Sequence, residues 1–209
     1  MNPDVVTETW TVDVAGLAAT LPIVPIKPDF AISLLMVIDH GVKFGEHVGR
    51  QLAARLAPLE PDIVVAPATL GIPVAIEVSR HLGLDRYVIL QKSNKIHLGD
   101  ALVQTISSIT SHGEQRLLLD RRAVPLLAGR RVVVVDDVVA TGSSLAGSLA
   151  LARAAGADIV GVGLVLTEAH DWRPVLGADT ALVTSLGHIP QFAPAAGGTG
   201  WSPIPTTLA

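Results

Sequence analysis

The sequence predicts an α/β protein built on a mostly parallel, twisted sheet with helices on both faces. Short, almost purely aliphatic runs alternate with stretches whose apolar residues recur at helical spacing. Turns containing glycine and proline separate them in a strand–turn–helix rhythm, and strands joined through helices pair in parallel. Composition points the same way. Of 209 residues 49% are hydrophobic but only 3% aromatic, so the core is Val, Leu, Ile and Ala, the residues that fill strands buried on both faces.

Taken in order, residues 8–14 alternate polar and apolar positions and predict a short strand. Residues 21–29 carry Pro22, Pro25 and Pro28, which argues against a helix interior or a central strand, because proline has no N–H to donate. Residues 30–40 follow, and then Val42, Val48, Leu52 and Leu56 give the spacing of a helix over 42–56. The rhythm begins with a strand at 62–66 (DIVVA), a turn at 67–71, a helix at 72–82 stopped by Gly83, and a strand at 87–90. Residues 96–116 break it. They are polar, rich in Ser and Thr, and read as a long hairpin or a mobile loop. A short strand is expected at 117–119. The run 131–135 (RVVVV) is the plainest strand in the chain, and a helix at 143–155 follows it, ended by Gly156. Further strands are expected at 158–166 and 181–183. The tail, 189–209, rich in Pro, Gly and Thr, reads as irregular or as a clamp. A single domain, residues 1–209, is expected, with its core over about 36–188.

Several function classes are disfavoured. The net charge is −4, from 15 Lys+Arg and 19 Asp+Glu, so no broad basic field invites nucleic acid. There is no cysteine, which rules out disulfides and thiolate metal sites and fits a cytoplasmic protein. The acidic amino-terminal residues lack the apolar core of a signal peptide, and no apolar run reaches the ~18 residues of a membrane span. No GxGxxG follows a strand near the start, so a dinucleotide fold is not expected.

In a parallel sheet ligands gather at the carboxyl ends of the strands, here residues 66–71, 91–95 and 136–144. The last of these reads DDVVATGSS. Adjacent carboxylates at the end of a buried strand are costly unless they meet partners, and they suit ribose hydroxyls or a nearby cation. Ala140, Thr141, Gly142, Ser143 and Ser144 are small, and their N–H groups and hydroxyls converge where a helix begins, a natural phosphate site.

Residues 132–144 resemble the motif by which type I phosphoribosyltransferases bind 5-phosphoribosyl-1-pyrophosphate (PRPP): an apolar strand, then DDxxxTGxS/T. The resemblance covers about residues 60–170 and lies nearest the adenine and xanthine branch. It implies the type I fold, a Mg²⁺ ion carried mainly by PRPP, a homodimer, and a small hood from about 1–35 and 189–209. It gives the ribose hydroxyls to Asp136 and Asp137, and the 5′-phosphate to Ala140, Thr141, Gly142, Ser143 and Ser144. It gives pyrophosphate to Ala68, Thr69, Leu70 and Gly71 and to Lys92 and Lys95, with Lys92 counted among the catalytic residues beside the two aspartates. Adenine enzymes often carry Glu-Ser-Arg-Gly where Ala68, Thr69, Leu70 and Gly71 stand, so one cation is missing here.

The same resemblance implies a flexible loop that closes over PRPP, with Ser111, His112 and Gly113 at its tip. Ile26, Lys27 and Phe30 are the expected base contacts. The implied reaction is a purine salvage step: PRPP and a purine base, adenine favoured, give the nucleoside 5′-monophosphate and pyrophosphate. The alternative is a regulator of the same fold that senses PRPP or nucleotides without turnover, towards which Leu70 points.

Overall fold

Val132, Val133, Val134 and Val135 are all fully buried, and the strand they open is the middle of the protein. The computed structural model describes residues 8–93, 101–106 and 115–209. In chain order its elements are β1 (Thr9–Val14), β2 (Leu17–Lys27), β3 (Phe30–Ser33), α1 (Val42–Leu56), β4 (Ile63–Pro67), α2 (Gly71–Leu82), β5 (Tyr87–Leu90), β6 (Leu102–Ile106), β7 (Gln115–Leu119), α3 (Val124–Leu127), β8 (Arg131–Val139), α4 (Ser143–Ala154), β9 (Asp158–Glu168), α5 (Trp172–Leu176), β10 (Val183–Ile189), β11 (Gln191–Pro194) and β12 (Trp201–Pro203).

The central sheet runs β10-β9-β8-β4-β5, and every pair in it is parallel. Counting only these five strands in chain order, the order is 2-1-3-4-5. The winding therefore reverses between β4 and β8, and a crevice opens there at the carboxyl ends of the strands. On one face, Val48 and Leu52 of α1 and Val74 and Val78 of α2 join Val64, Val133 and Val135 in one apolar cluster. On the other, Leu145 and Leu149 of α4 join Val65, Val132 and Val134. Each such side chain contributes roughly 1.5–3 kcal/mol by leaving water.

The carboxyl end of α4 is tied down electrostatically. Arg153 donates from Nη1 and Nη2 to the two oxygens of Asp179, at 2.7 Å each, a fork-to-fork pair. Arg153→Ala is expected to cost about 1 kcal/mol or less, because the pair is partly solvated, and to lower Tm by roughly 2–4 °C. Arg153 holds the Asp179 carboxyl below its ordinary value. That stabilisation is therefore present above the ordinary carboxylate range and is lost as pH falls through the depressed value. Melting curves of the variant and the parent should converge in acid.

A second sheet, antiparallel, runs β1-β2-β3-β11-β12. It corrects the expectation that residues 21–29 could not form a central strand, because β2 lies between β1 and β3. The prolines are tolerated because β2 changes partner along its length. Residues up to Pro22 pair with β1, those from Ile23 onward pair with β3, and the β3 ladder is irregular between Pro25 and Lys27. Each proline thus falls where a ladder ends or bulges. The tail is also more regular than expected, since residues 191–203 supply two strands of this sheet. The strand expected at 181–183 begins only at Val183. Residues 177–182 form a 3₁₀ turn instead, held by Asp179 on Arg153 and by Thr180 Oγ1 donating to the Arg173 carbonyl. No helix among the described residues is long and apolar enough to cross a membrane.

Candidate active site at the switch point of the sheet

The acidic pair does not follow the strand, as the sequence reading had it, but lies within it. β8 continues through Asp136 and Asp137 to Val139, pairing with β9 as far as Thr167. Asp136 is only 8% exposed, and its Oδ1 accepts the N–H of Asp137 at 2.9 Å. Burial pushes its carboxyl well above the ordinary carboxylate range. The neighbouring Asp137 charge pushes the same way, and Lys92 pulls against them. An acid held this way, with a like charge beside it, is prepared for partners that donate hydrogen bonds.

α2 begins directly against this acid. A Cβ placed on Gly71 would lie 3.1 Å from Asp136 Oδ1 and 3.2 Å from Ala66 Cβ, so a side chain there would crowd the acid and the strand where the helix starts. The positive end of the α2 dipole therefore adjoins the carboxylate. In the turn before α2 the Ala68–Thr69 peptide is cis. The N–H of Ala68 donates to the Leu90 carbonyl at 2.8 Å. This corrects the placing of Ala68 among the pyrophosphate donors, because its N–H is already spent on β5. The N–H groups of Thr69, Leu70 and Gly71 meet no acceptor among the described residues. Thr69 is exposed and Leu70 half-buried, and neither brings a cation.

The turn after β8 has the same form. Gly142 has φ 82°, a left-handed conformation that favours glycine, and a Cβ there would lie 3.0 Å from Trp172 Cα. Among the described residues, the N–H groups of Thr141, Gly142, Ser144 and Leu145 meet no acceptor, and Ala146 is the first to bond back, to the Gly142 carbonyl. Ser144 Oγ is buried without a hydrogen-bond partner. The crevice is thus flanked by two helix amino ends, each with unused N–H donors, and an acid pair lies between them. That arrangement fits an anion at each end and a polyhydroxylated body in the middle.

Lys92 is exposed two residues beyond β5, near enough for its charge to act on Asp136. Gln91 exchanges backbone hydrogen bonds of 2.8 Å with Leu118 in both directions. That bond roots the antiparallel hairpin β6–β7 beside Lys92. Lys95, Ser111, His112 and Gly113 lie outside the described residues. Ile26, Lys27 and Phe30 come together at the tip of the β2–β3 hairpin, where Lys27 pairs with Phe30. Ile26 is 46% exposed and Phe30 half-buried. No hydrogen bond joins them to the acid pair among the described residues.

Sequence reasoning missed two residues at this end of the molecule. Trp172 is 3% exposed and forms the wall behind Gly142. Glu168, the last residue of β9, is buried. The signal for Glu168 was present, since an acid ends an aliphatic strand there as at Asp136, but the strand was expected to stop at 166.

Residues 40–193 match the family described as the phosphoribosyl transferase domain. The chain belongs to the phosphoribosyltransferase family. Over 120 residues it is 33% identical to the xanthine phosphoribosyltransferase of Exiguobacterium sp., a match covering 57% of this chain and 61% of that enzyme, under two thirds of its length. Over 155 residues it is 32% identical to the adenine phosphoribosyltransferase of Sphingopyxis alaskensis, covering 74% of this chain and 80% of that one. The APRTase of Giardia lamblia, solved in complex with 9-deazaadenine, superposes with a TM-score of 0.67 at 21% identity over 79% of this chain and 92% of its own. This phosphoribosyltransferase has the type I fold its motif implied, and its relatives place it in the purine branch.

Proposed function

We propose that this purine-branch phosphoribosyltransferase transfers the 5-phosphoribosyl group of PRPP to a purine base, adenine being favoured, and releases pyrophosphate. The observation that carries the reading is the crevice between β4 and β8. Its two helix amino ends match the two phosphate ends of PRPP, and its acid pair matches the ribose between them. The 5′-phosphate sits on Ala140, Thr141, Gly142, Ser143 and Ser144, where a bound oxygen would give the buried Ser144 hydroxyl the partner it lacks. Pyrophosphate sits on the N–H groups of Thr69, Leu70 and Gly71, and on Lys92 and Lys95.

The C1–oxygen bond breaks, pyrophosphate leaves with the electron pair, and a purine nitrogen bonds to C1 and passes its proton to the departing pyrophosphate. Asp136 and Asp137 hold the ribose hydroxyls and stabilise the positive charge that grows on the sugar. Lys92 and the backbone donors stabilise the departing phosphates. The hairpin β6–β7, with Ser111, His112 and Gly113 between its strands, covers the reacting centre and excludes water. A Mg²⁺ ion would arrive on PRPP. Bound there, it would neutralise charge on the leaving pyrophosphate. The second sheet serves as the hood over the base, with Ile26, Lys27 and Phe30 as its contacts. We carry over a cytoplasmic homodimer as well, which sedimentation at micromolar concentration tests.

Lys92→Ala is expected to raise KM for PRPP by on the order of 10-fold, the loss of about 1.5 kcal/mol from one charged hydrogen bond. Initial rates at varied PRPP check this. The reading as a whole is tested by following pyrophosphate release with PRPP, Mg²⁺ and each of adenine, guanine, hypoxanthine and xanthine. Turnover with adenine ahead of the others is expected. Chelation of Mg²⁺ should abolish turnover and leave the melting curve of the free protein unmoved. PRPP binding without turnover of any base would favour the regulator, the reading that the absence of a cation at Leu70 supports.

A further inference from the structure

Asp136 is not the only buried carboxyl at the carboxyl edge of the parallel sheet. Among the described residues, Glu168 is the other, at 5% exposure, and the chemistry proposed above gives it no task. Its Oε1 accepts from Gln191 Nε2 at 3.1 Å. Among the described residues its Oε2 accepts nothing, and it is not among the polar atoms sealed from solvent. A carboxyl offers about four acceptor positions, and burying it with so few in use is costly. A side chain kept in this state is poised to receive a ligand.

Its carrier is rigid. The Gln191 N–H donates to Thr207 Oγ1 at 3.0 Å, and the Gln191 carbonyl accepts from the Ile204 N–H at 2.8 Å. His188 donates from Nε2 to the Thr207 carbonyl at 2.8 Å. Its Nδ1 lies 2.9 Å from the Thr167 hydroxyl, within hydrogen-bond distance. His170, stacked on His188, reaches the Leu208 carbonyl at 3.1 Å. The chain's last turn is thus fastened across the ends of β9 and β10, and it fixes the side chain that orients Glu168.

Position supplies the ligand. β8 and β9 pair up to Val139 and Thr167, so Glu168 stands one residue further, beside Ala140, where the phosphate turn starts. It also pairs with Ile189, two residues before β11 of the second sheet. Pyrophosphate occupies the β4 and β5 side of the crevice. A base entering at C1 opposite the leaving group therefore lies on the other side, towards β9 and the second sheet, where Glu168 waits.

We propose that Glu168 reads the base: its carboxyl accepts a hydrogen bond from the 6-amino group of adenine and completes the pair through ring N1. This deepens the reading under Proposed function and rests on the ribose and phosphate placement given there. Burial is the largest influence on Glu168 and raises its pKa. Gln191 opposes this and Asp171 reinforces it. In its acid form, towards which that shift leads, the carboxyl donates to N1 while accepting from the amino group. Hypoxanthine presents an oxygen at C6 and an N–H at N1, so donor meets donor and acceptor meets acceptor.

The test uses AMP and IMP, which differ only at these two positions and bind without any turnover. Equilibrium titration of the intact protein should show AMP tighter than IMP by on the order of 10²-fold. Glu168→Gln should shrink that ratio at least 10-fold, since the amide presents an NH₂ to the 6-oxygen, while KM for PRPP stays unchanged. Equal affinity of the unaltered protein for AMP and for purine riboside 5′-monophosphate, which has no 6-amino group, would overturn the proposal without any variant. So would a Glu168→Gln protein that weakens both nucleotides alike, which is the mark of a residue that only fastens Gln191. Failure to bind either nucleotide would overturn it along with the site placement. Tight, AMP-selective binding by a protein that turns over no base would uphold Glu168 and reject only the catalytic reading.

Discussion

Replacing Asp136 and Asp137 together by asparagine is expected to weaken PRPP binding by about 10²- to 10⁴-fold. Each carboxylate would hold a ribose hydroxyl through a charged hydrogen bond worth about 1.5–3 kcal/mol, and two such losses give that range. The fold should survive. Asp136 is buried beside a like charge, so its ionised form is a burden in the free protein. Its folded-state value is raised. The stability linked to it is therefore full below the ordinary carboxylate value of about 3.9 and is lost as pH rises through the raised one. At neutral pH the doubly substituted protein should melt no lower than the parent, while its PRPP titration collapses. A variant that melts far lower, with PRPP affinity unchanged in what remains folded, would make the pair a structural feature and not a ligand site.

Gly142→Val carries the second large effect, and here fold and site fail together. The position has φ 82°, which a β-branched residue adopts only under strain. Its Cβ would lie 3.0 Å from Trp172 Cα and 3.1 Å from the Trp172 carbonyl oxygen. These are backbone atoms of a residue 3% exposed, whose indole N–H donates to the Ala169 carbonyl at 3.2 Å, so the wall does not yield. A cost of about 1–3 kcal/mol is expected, and with it a shift of the 140–144 turn that misdirects its N–H groups. Displacement by about 1 Å typically costs a reaction on the order of 10²-fold. Thermal melting together with kcat/KM for PRPP checks both halves. Gly142→Ala should fall between parent and valine variant in each.

The parallel core was legible because its signals are local. Val132 to Val135, the helical spacing from Val42 to Leu56 and the stop at Gly83 each dictate their element with little help from elsewhere. The acid pair and the small turn behind it were legible for the same reason, since chemistry and backbone needs coincide in one short string. What escaped notice depends on distant partners. The prolines of residues 21–29 read as strand-breaking until β1 and β3 are seen to share β2 between them. The spent N–H of Ala68 is set by the Leu90 carbonyl on the neighbouring strand. Glu168 acquires its meaning from Gln191 and from a last turn that nothing in the local pattern places over the sheet.

The most direct measurement is amide hydrogen exchange on the intact protein with and without PRPP and Mg²⁺. Slowed exchange is predicted at Thr69, Leu70 and Gly71 and at Thr141, Gly142, Ser144 and Leu145, the two sets of unused donors flanking Asp136 and Asp137, with β1 and β12 unaffected. Unchanged exchange in both turns at saturating PRPP, or protection confined to another part of the surface, would contradict the placement of PRPP in the crevice between β4 and β8.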